Sequence, residues 1–204
     1  MISGCYVKDP SSLRSSGHGA GAFAPAPNYN AAYGVSVQTQ PTGYSYINCG
    51  ATNNSLQTAN GDRTIAAWVK PSTLSAGNMT IAGWGNDSGG LLSEIMILGT
   101  TGRIQFHGNG ADITSTTSIV INTWSYVVYT LTGGTVRFYI NGSLDATTGS
   151  VTLNTSTVNC KIGRQPDFNG QYFRGLIEQV GIWSRALSQS EVTTLYSSGT
   201  GLSY

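Results

Sequence analysis

Short runs with a two-residue period, each closed by a turn rich in Gly or Asn, constrain this chain more than any other feature of it. Residues 124–132 alternate Trp124, Tyr126 and Val128 against Val127, Tyr129 and Leu131, and Gly133-Gly134 turns the chain into 135–140. Asn141-Gly142 follows, the strongest hairpin signal in the sequence, because both turn positions require positive φ. Residues 64–71 alternate Ile65, Ala67 and Val69 against Thr64, Ala66 and Trp68, and Pro71 ends the run. Residues 79–84 form another run, and 94–98 with 103–107 read as a hairpin around 99–102. Strands at intervals of about 8–12 residues with polar turns between them predict an all-β, antiparallel two-sheet sandwich.

The C-terminal stretch 173–196 adds one strand, a corner and one short helix. Leu176, Ile177, Val180, Ile182 and Trp183 suit a strand, with Gly175 and Gly181 marking a bend or a close backbone approach. Ser188 with Glu191 three residues on forms a capping box, and Leu187 with Val192 a hydrophobic staple. Val192, Leu195 and Tyr196 share one helical face, and Gly199 is the expected stop. The helix is therefore expected near 188–197.

Composition narrows the class of function. Charged residues make up 9% of the 204 residues, against roughly 25% in an ordinary soluble domain. The net charge is +1 and there is no run of Lys or Arg, so recognition of a phosphate backbone has no electrostatic basis. No apolar stretch approaches membrane length. The first residues lack a basic segment followed by an apolar run, so no secretory signal is expected in this chain. The three cysteines, Cys5, Cys49 and Cys160, are an odd number without Cys-x-x-Cys spacing. A Cys49–Cys160 bridge and small buried thiols both fit them, the thiols better.

Residues 1–34 differ from the rest. The segment around 15–27 is rich in Gly, Ala and Pro and has no apolar period, so it cannot bury enough surface alone to offset its ordering entropy. Tyr6, Val7, Phe23, Tyr29 and Tyr33 are spaced along it as anchors. The expected organisation is an extended N-terminal arm over 1–34 and a sandwich domain over 35–204. The arm would order against copies of the chain or an assembly protein.

Three segments then carry a family resemblance. The stretch Phe173–Val192, with Gly175, Ile177, Val180, Ile182, Trp183, Arg185, Ala186, Leu187, Ser188, Glu191 and Val192 in place, resembles the terminal motif of laminin-G-like jelly rolls within the concanavalin A-like lectin and glucanase superfamily. The Trp68-Val69-Lys70-Pro71 run and the passage from Trp124 to Gly142 are similar to the same family, and the opening strand at 44–49 fits it. The resemblance covers roughly 44–195 and implies a jelly roll with one C-terminal helix. Glu178 and Gln179 stand where the family usually has Asp and Glu, which weakens any cation role for that pair. The fold hosts lectins, enzymes and adhesion domains alike, so function has to be argued from the site.

For catalysis, the superfamily's glucanases place paired carboxylates on one strand. Here the Glu on a central strand, Glu94, is followed by Met96 and Gly99, and no pair results, so no enzyme is expected. Laminin-G-like domains also bind calcium through loop oxygens. Asp87, Asp112 and Asp167 are loop residues of the right type, but as turn residues bonding their own backbone they are explained equally well. No cofactor is otherwise expected. Glycan recognition needs an aromatic face beside planar polar groups. The loop 163–172 offers Arg164, Gln165, Asp167, Phe168, Asn169 and Tyr172, and Trp84, Asp87, His107, Asn109 and Asp112 lie at the ends of neighbouring runs. Core packing stays open for Trp84 and a loop clasp for Phe168, while Trp68, Trp124 and Trp183 are expected in the core. The expectation is a non-catalytic surface protein, a decoration or tail component of a virus or phage particle able to bind glycans, located on a virion or outside cells. A secreted carbohydrate-binding or adhesion module is the alternative, and a glucanase-like hydrolase a more distant one.

Overall fold

In strand β3 (Arg63–Pro71) every side chain is buried except that of Lys70, which is half-buried, and that follows from its place between two apolar layers. Ile65, Ala67 and Val69 face the sandwich interior, while Ala66 and Trp68 face a second cluster on the other side. The computed structural model describes residues 37–39, 46–49, 56–74, 77–156 and 160–200; the arm expected over 1–34 lies outside them.

The first sheet runs β1 (Val37–Thr39), β12 (Gly175–Trp183), β3, β8 (Ser125–Thr132), β9 (Thr135–Ile140), β10 (Ser143–Ser150). The second runs β2 (Ile47–Asn48), β11 (Lys161–Ile162), β4 (Met79–Gly85), β5 (Leu92–Ile97), β6 (Arg103–His107), β7 (Ile113–Ser118). All pairings are antiparallel. The arrangement is the jelly-roll sandwich expected from the alternation. Val127, Tyr129 and Leu131 of β8 join the β3 residues against Ile81, Trp84, Ile95, Ile97 and Phe106 of the second sheet. Each large apolar side chain sealed here contributes roughly 1.5–3 kcal/mol.

The second cluster lies on the outer face of the first sheet. Trp68, Tyr126, Val128, Tyr139 and Trp183 pack there under Leu187 and Val192. Helix α1 (Gln189–Tyr196) closes it, with Tyr196 stacked on Trp68 at 5.6 Å between centroids. Ser188 is the N-cap and the capping box is complete: its hydroxyl accepts the Glu191 N–H, and the Glu191 carboxylate accepts the Ser188 N–H at 2.8 Å. The helix stops earlier than Gly199, because Ser197 takes the left-handed conformation at φ 47°.

Local pattern failed where strands are polar or very short. Among the described residues of the opening run, Ile47–Asn48 form the strand. β7, β10 and β11 carry no clear alternation and take shape through their neighbours. The free edges of β7 and β10 are tied together by Asp145, whose carboxylate accepts the Thr116 and Thr117 N–H groups at 2.8 and 3.0 Å. Burial pushes the Asp145 carboxyl up, but the bonds from Thr117 and Thr116 outweigh it and hold it below its ordinary value. The cysteine expectation is corrected in part. Cys49 is disulfide-bonded and Cys160 is a free, buried thiol, so the two do not pair.

Candidate functional site

Three loops meet on the second sheet: that over 163–172 leaves β11 toward the Thr80 end of β4, and its Asp167 reaches back to the loop that follows β4. β11 pairs with β2 on one side and β4 on the other, through Lys161↔Asn48 and Lys161↔Gly83. The loop 163–172 leaves from β11, and Gln171 O accepts the Thr80 N–H at 2.8 Å. The loops after β4 and β6 meet it through side chains. Asn109 Nδ2 donates to Asp87 Oδ1 at 2.6 Å, and the Asp87 N–H donates to Asp167 Oδ2 at 3.3 Å.

The aromatic part of this edge is built around Arg164. Its Cζ lies 4.7 Å from the ring centre of Tyr46 and 5.6 Å from that of Tyr172. The two rings are tilted at 6.3 Å. Lys161 Nζ sits over the same Tyr46 ring at 5.9 Å and donates to Pro166 O. Tyr172 donates its hydroxyl to Asn169 Oδ1 at 2.6 Å, and Arg164 Nε donates to Phe168 O at 3.2 Å. Phe168 itself is 53% exposed and Tyr46 37%, so both rings are open to a ligand. Gly170 makes room for the Phe168 ring: a Cβ there would lie 2.3 Å from Phe168 Cε1.

Two of the candidate ligand-binding residues are not at the surface. Trp84 is fully buried; its indole N–H donates to Gln57 O at 2.9 Å, and the Arg63 guanidinium lies 5.4 Å from its ring centre. The cause is a bulge in the pairing of β4 with β5 between Thr80 and Ala82, which shifts the alternation so that Ala82 and Trp84 turn inward with Met79 and Ile81. Gln165 is also fully buried. Sequence reasoning missed Tyr46 and Lys161. Tyr46 stood in a recognisable run, but only the pairing of β2 with β11 places it beside Arg164.

Behind the loops, Glu94 and His107 are directly paired across β5 and β6. They point away from the face that carries Ile95 and Phe106 into the core. Glu94 is sealed from solvent and accepts the Thr80 hydroxyl at 2.8 Å. Burial lifts its carboxyl to about 8, opposed by the Thr80 bond and helped by the charges of Asp87 and Asp112. His107 Nε2 lies 3.9 Å from Asp112 Oδ2, and Asp112 Oδ1 accepts the Gly108 N–H at 3.0 Å.

A calcium ion asks for six to eight converging oxygens. Asp87, Asp112 and Asp167 each commit a carboxylate oxygen to a nearby N–H donor. Among the described residues no three His, Cys, Asp or Glu side chains form a group that could hold a metal. The three residues do not fit the ion.

The two packed antiparallel sheets with a helix on one outer face define a lectin-type jelly roll. The chain belongs to the concanavalin A-like lectin/glucanases superfamily, whose family model matches residues 41–193. None of the curated proteins matches the chain significantly. Among solved structures it is similar to the native heptameric SAP-like pentraxin from Limulus polyphemus, at 16% identity and TM-score 0.56, over 78% of this chain and 78% of that one. It is similar to domain 4 of the extracellular GH43 arabinanase AbnA from Geobacillus stearothermophilus, in complex with arabinotriose, at 18% identity and TM-score 0.55, over 80% and 87%. A third is the binding domain of botulinum neurotoxin DC in complex with rat synaptotagmin II, at 18% identity and TM-score 0.61, over 87% of this chain and 45% of that one. At these identities the likeness is one of fold.

Proposed function

We propose that the chain is a non-catalytic recognition module that binds glycans at the edge formed by loop 163–172 and Tyr46. The observation that carries this is the exposed Phe168 ring beside the Arg164–Tyr46–Tyr172 cluster and the Asn169 amide. A sugar offers apolar C–H faces to such rings and hydroxyls to such polar groups. Superfamily membership and the arabinotriose complex of the AbnA domain support the reading. A hydrolytic role is disfavoured because Glu94, the carboxyl on a central strand, is sealed from solvent and has no second carboxylate on its strand. Phe168→Ala should weaken glycan binding at least several-fold while the thermal midpoint stays close to that of the parent. Unchanged affinity for every glycan that binds the parent refutes this site.

The finer reading, a component of a virus or phage particle held by residues 1–34, is carried by the Gly, Ala and Pro content of that segment and its spaced aromatics. Placement on a virion surface or outside cells belongs to the same proposal. Deleting 1–34 should leave a folded sandwich that no longer assembles, as read by sedimentation; unchanged assembly removes the particle reading and leaves recognition alone.

A further inference from the structure

We infer that the Arg164–Lys161–Tyr46 corner is an anion subsite, and that the glycans taken at this edge carry carboxylates, as uronic-acid chains do. The inference rests on the recognition reading above and names its ligand class. Arg164 and Lys161 share one ring, at 4.7 and 5.9 Å from the Tyr46 centre. Among the described residues the side chains paired with a carboxylate within 4.0 Å are His107 and Arg185, so neither of these two cations is neutralised. The acid whose charge acts on Lys161 is Asp167, and its Oδ2 is engaged by the Asp87 N–H.

Two unneutralised cations held side by side repel one another. Burial, and after it the Arg164 charge, holds Lys161 below its ordinary pKa, with Asp167 opposing. An anion between them relieves that repulsion. The Arg164 donors also have a direction. Nε is used by Phe168 O, and both terminal nitrogens lack a hydrogen-bond partner among the described residues. A guanidinium with two free donor nitrogens suits the two oxygens of a carboxylate, with the Tyr46 and Tyr172 rings, 4.7 and 5.6 Å from its Cζ, keeping the fork in place. The flanking Phe168 and Tyr172 rings would hold the pyranose that bears it. A neutral sugar uses the rings and leaves both cations unsatisfied.

The test is native affinity electrophoresis at fixed ionic strength, in gels cast with polygalacturonate, alginate or hyaluronan and in parallel gels with their carboxyl-reduced forms. The expected result is that at least one acidic polymer retards the protein more than its reduced form does. Arg164→Gln should lose that excess, roughly tenfold in affinity, and Arg164→Lys should keep part of it. The exposed Arg103, on a different strand, serves as the control: Arg103→Gln should keep all of it, which excludes a net-charge effect. Thermal melts confirm that the variants fold. Equal retardation by acidic and reduced polymers, abolished by Phe168→Ala, overturns the anion subsite and leaves glycan recognition standing. An acid preference that survives Arg164→Gln also overturns it. An Arg164-dependent preference for dextran sulfate over dextran, with none for any carboxylated polymer, overturns the carboxylate assignment. No retardation by any polymer overturns both readings.

Discussion

Replacing Glu94 by Gln should change the pH dependence of stability far more than stability at low pH. In the folded chain the Glu94 carboxyl holds its proton up to about 8, against an ordinary value of 4.5. The main cause is burial, to which Asp87 and Asp112 add and which the Thr80 bond opposes. The sign follows from proton counting. Between the two values the folded state binds more protons than the unfolded state, so stability is highest below about 4.5 and falls as pH rises toward 8. Each unit costs up to about 1.4 kcal/mol, so the window costs roughly 4–5 kcal/mol in total. Gln has the shape of the protonated acid, can accept the Thr80 hydroxyl, and does not titrate. At pH 4.5 the two proteins should therefore have nearly equal stability, and by pH 8 the variant should be more stable by roughly 3–5 kcal/mol. Urea unfolding of both proteins at half-unit steps from pH 4.5 to 8.5 reads this directly, and the difference between the two curves cancels every other titrating group. A difference that stays constant across the range refutes the argument, because it means Glu94 ionises alike in both states.

Ser188→Ala should cost about 1 kcal/mol, since it removes the cap hydroxyl that accepts the Glu191 N–H; a denaturation midpoint equal to the parent's means the box is idle. Asp145→Asn should cost about 1 kcal/mol after allowing for solvent screening. Because the Asp145 carboxyl is held low in the folded state, its contribution is present above the ordinary carboxylate range and lost as pH falls through the folded value; an Asn variant that parallels the parent down to pH 2 in unfolding experiments contradicts this. Gly170→Ala should displace the Phe168 ring, whose Cε1 would lie 2.3 Å from the new methyl group, and so weaken glycan binding with little change in thermal midpoint; tight binding by this variant means the ring position is irrelevant.

The readable part of this molecule is what neighbouring residues decide among themselves. Alternation in β3 and β8 is a property of the pleat, so it named both faces of each strand before any partner was known. The Ser188–Glu191 box closes within one turn, and Asn141-Gly142 turns the chain through its own permissive backbone, with φ 51° and 79°. These signals, with the family resemblance, were enough for a jelly roll with one terminal helix. Trp84 shows where that ends. Counting from Met79 puts it outside; the bulge between Thr80 and Ala82 puts it inside, and the bulge exists only because β4 pairs with β5 in that register. The polar strand β7 and the two residues of β11 likewise owe their form to the strands beside them. The site lies at this second level. Phe168, Asn169 and Tyr172 were legible as a loop of the right chemistry. That Tyr46, more than a hundred positions earlier in the chain, should lie under Arg164 and Lys161 was decided by the pairing of β2 with β11. Charge proximity between residues that far apart follows from strand order, which no local pattern encodes.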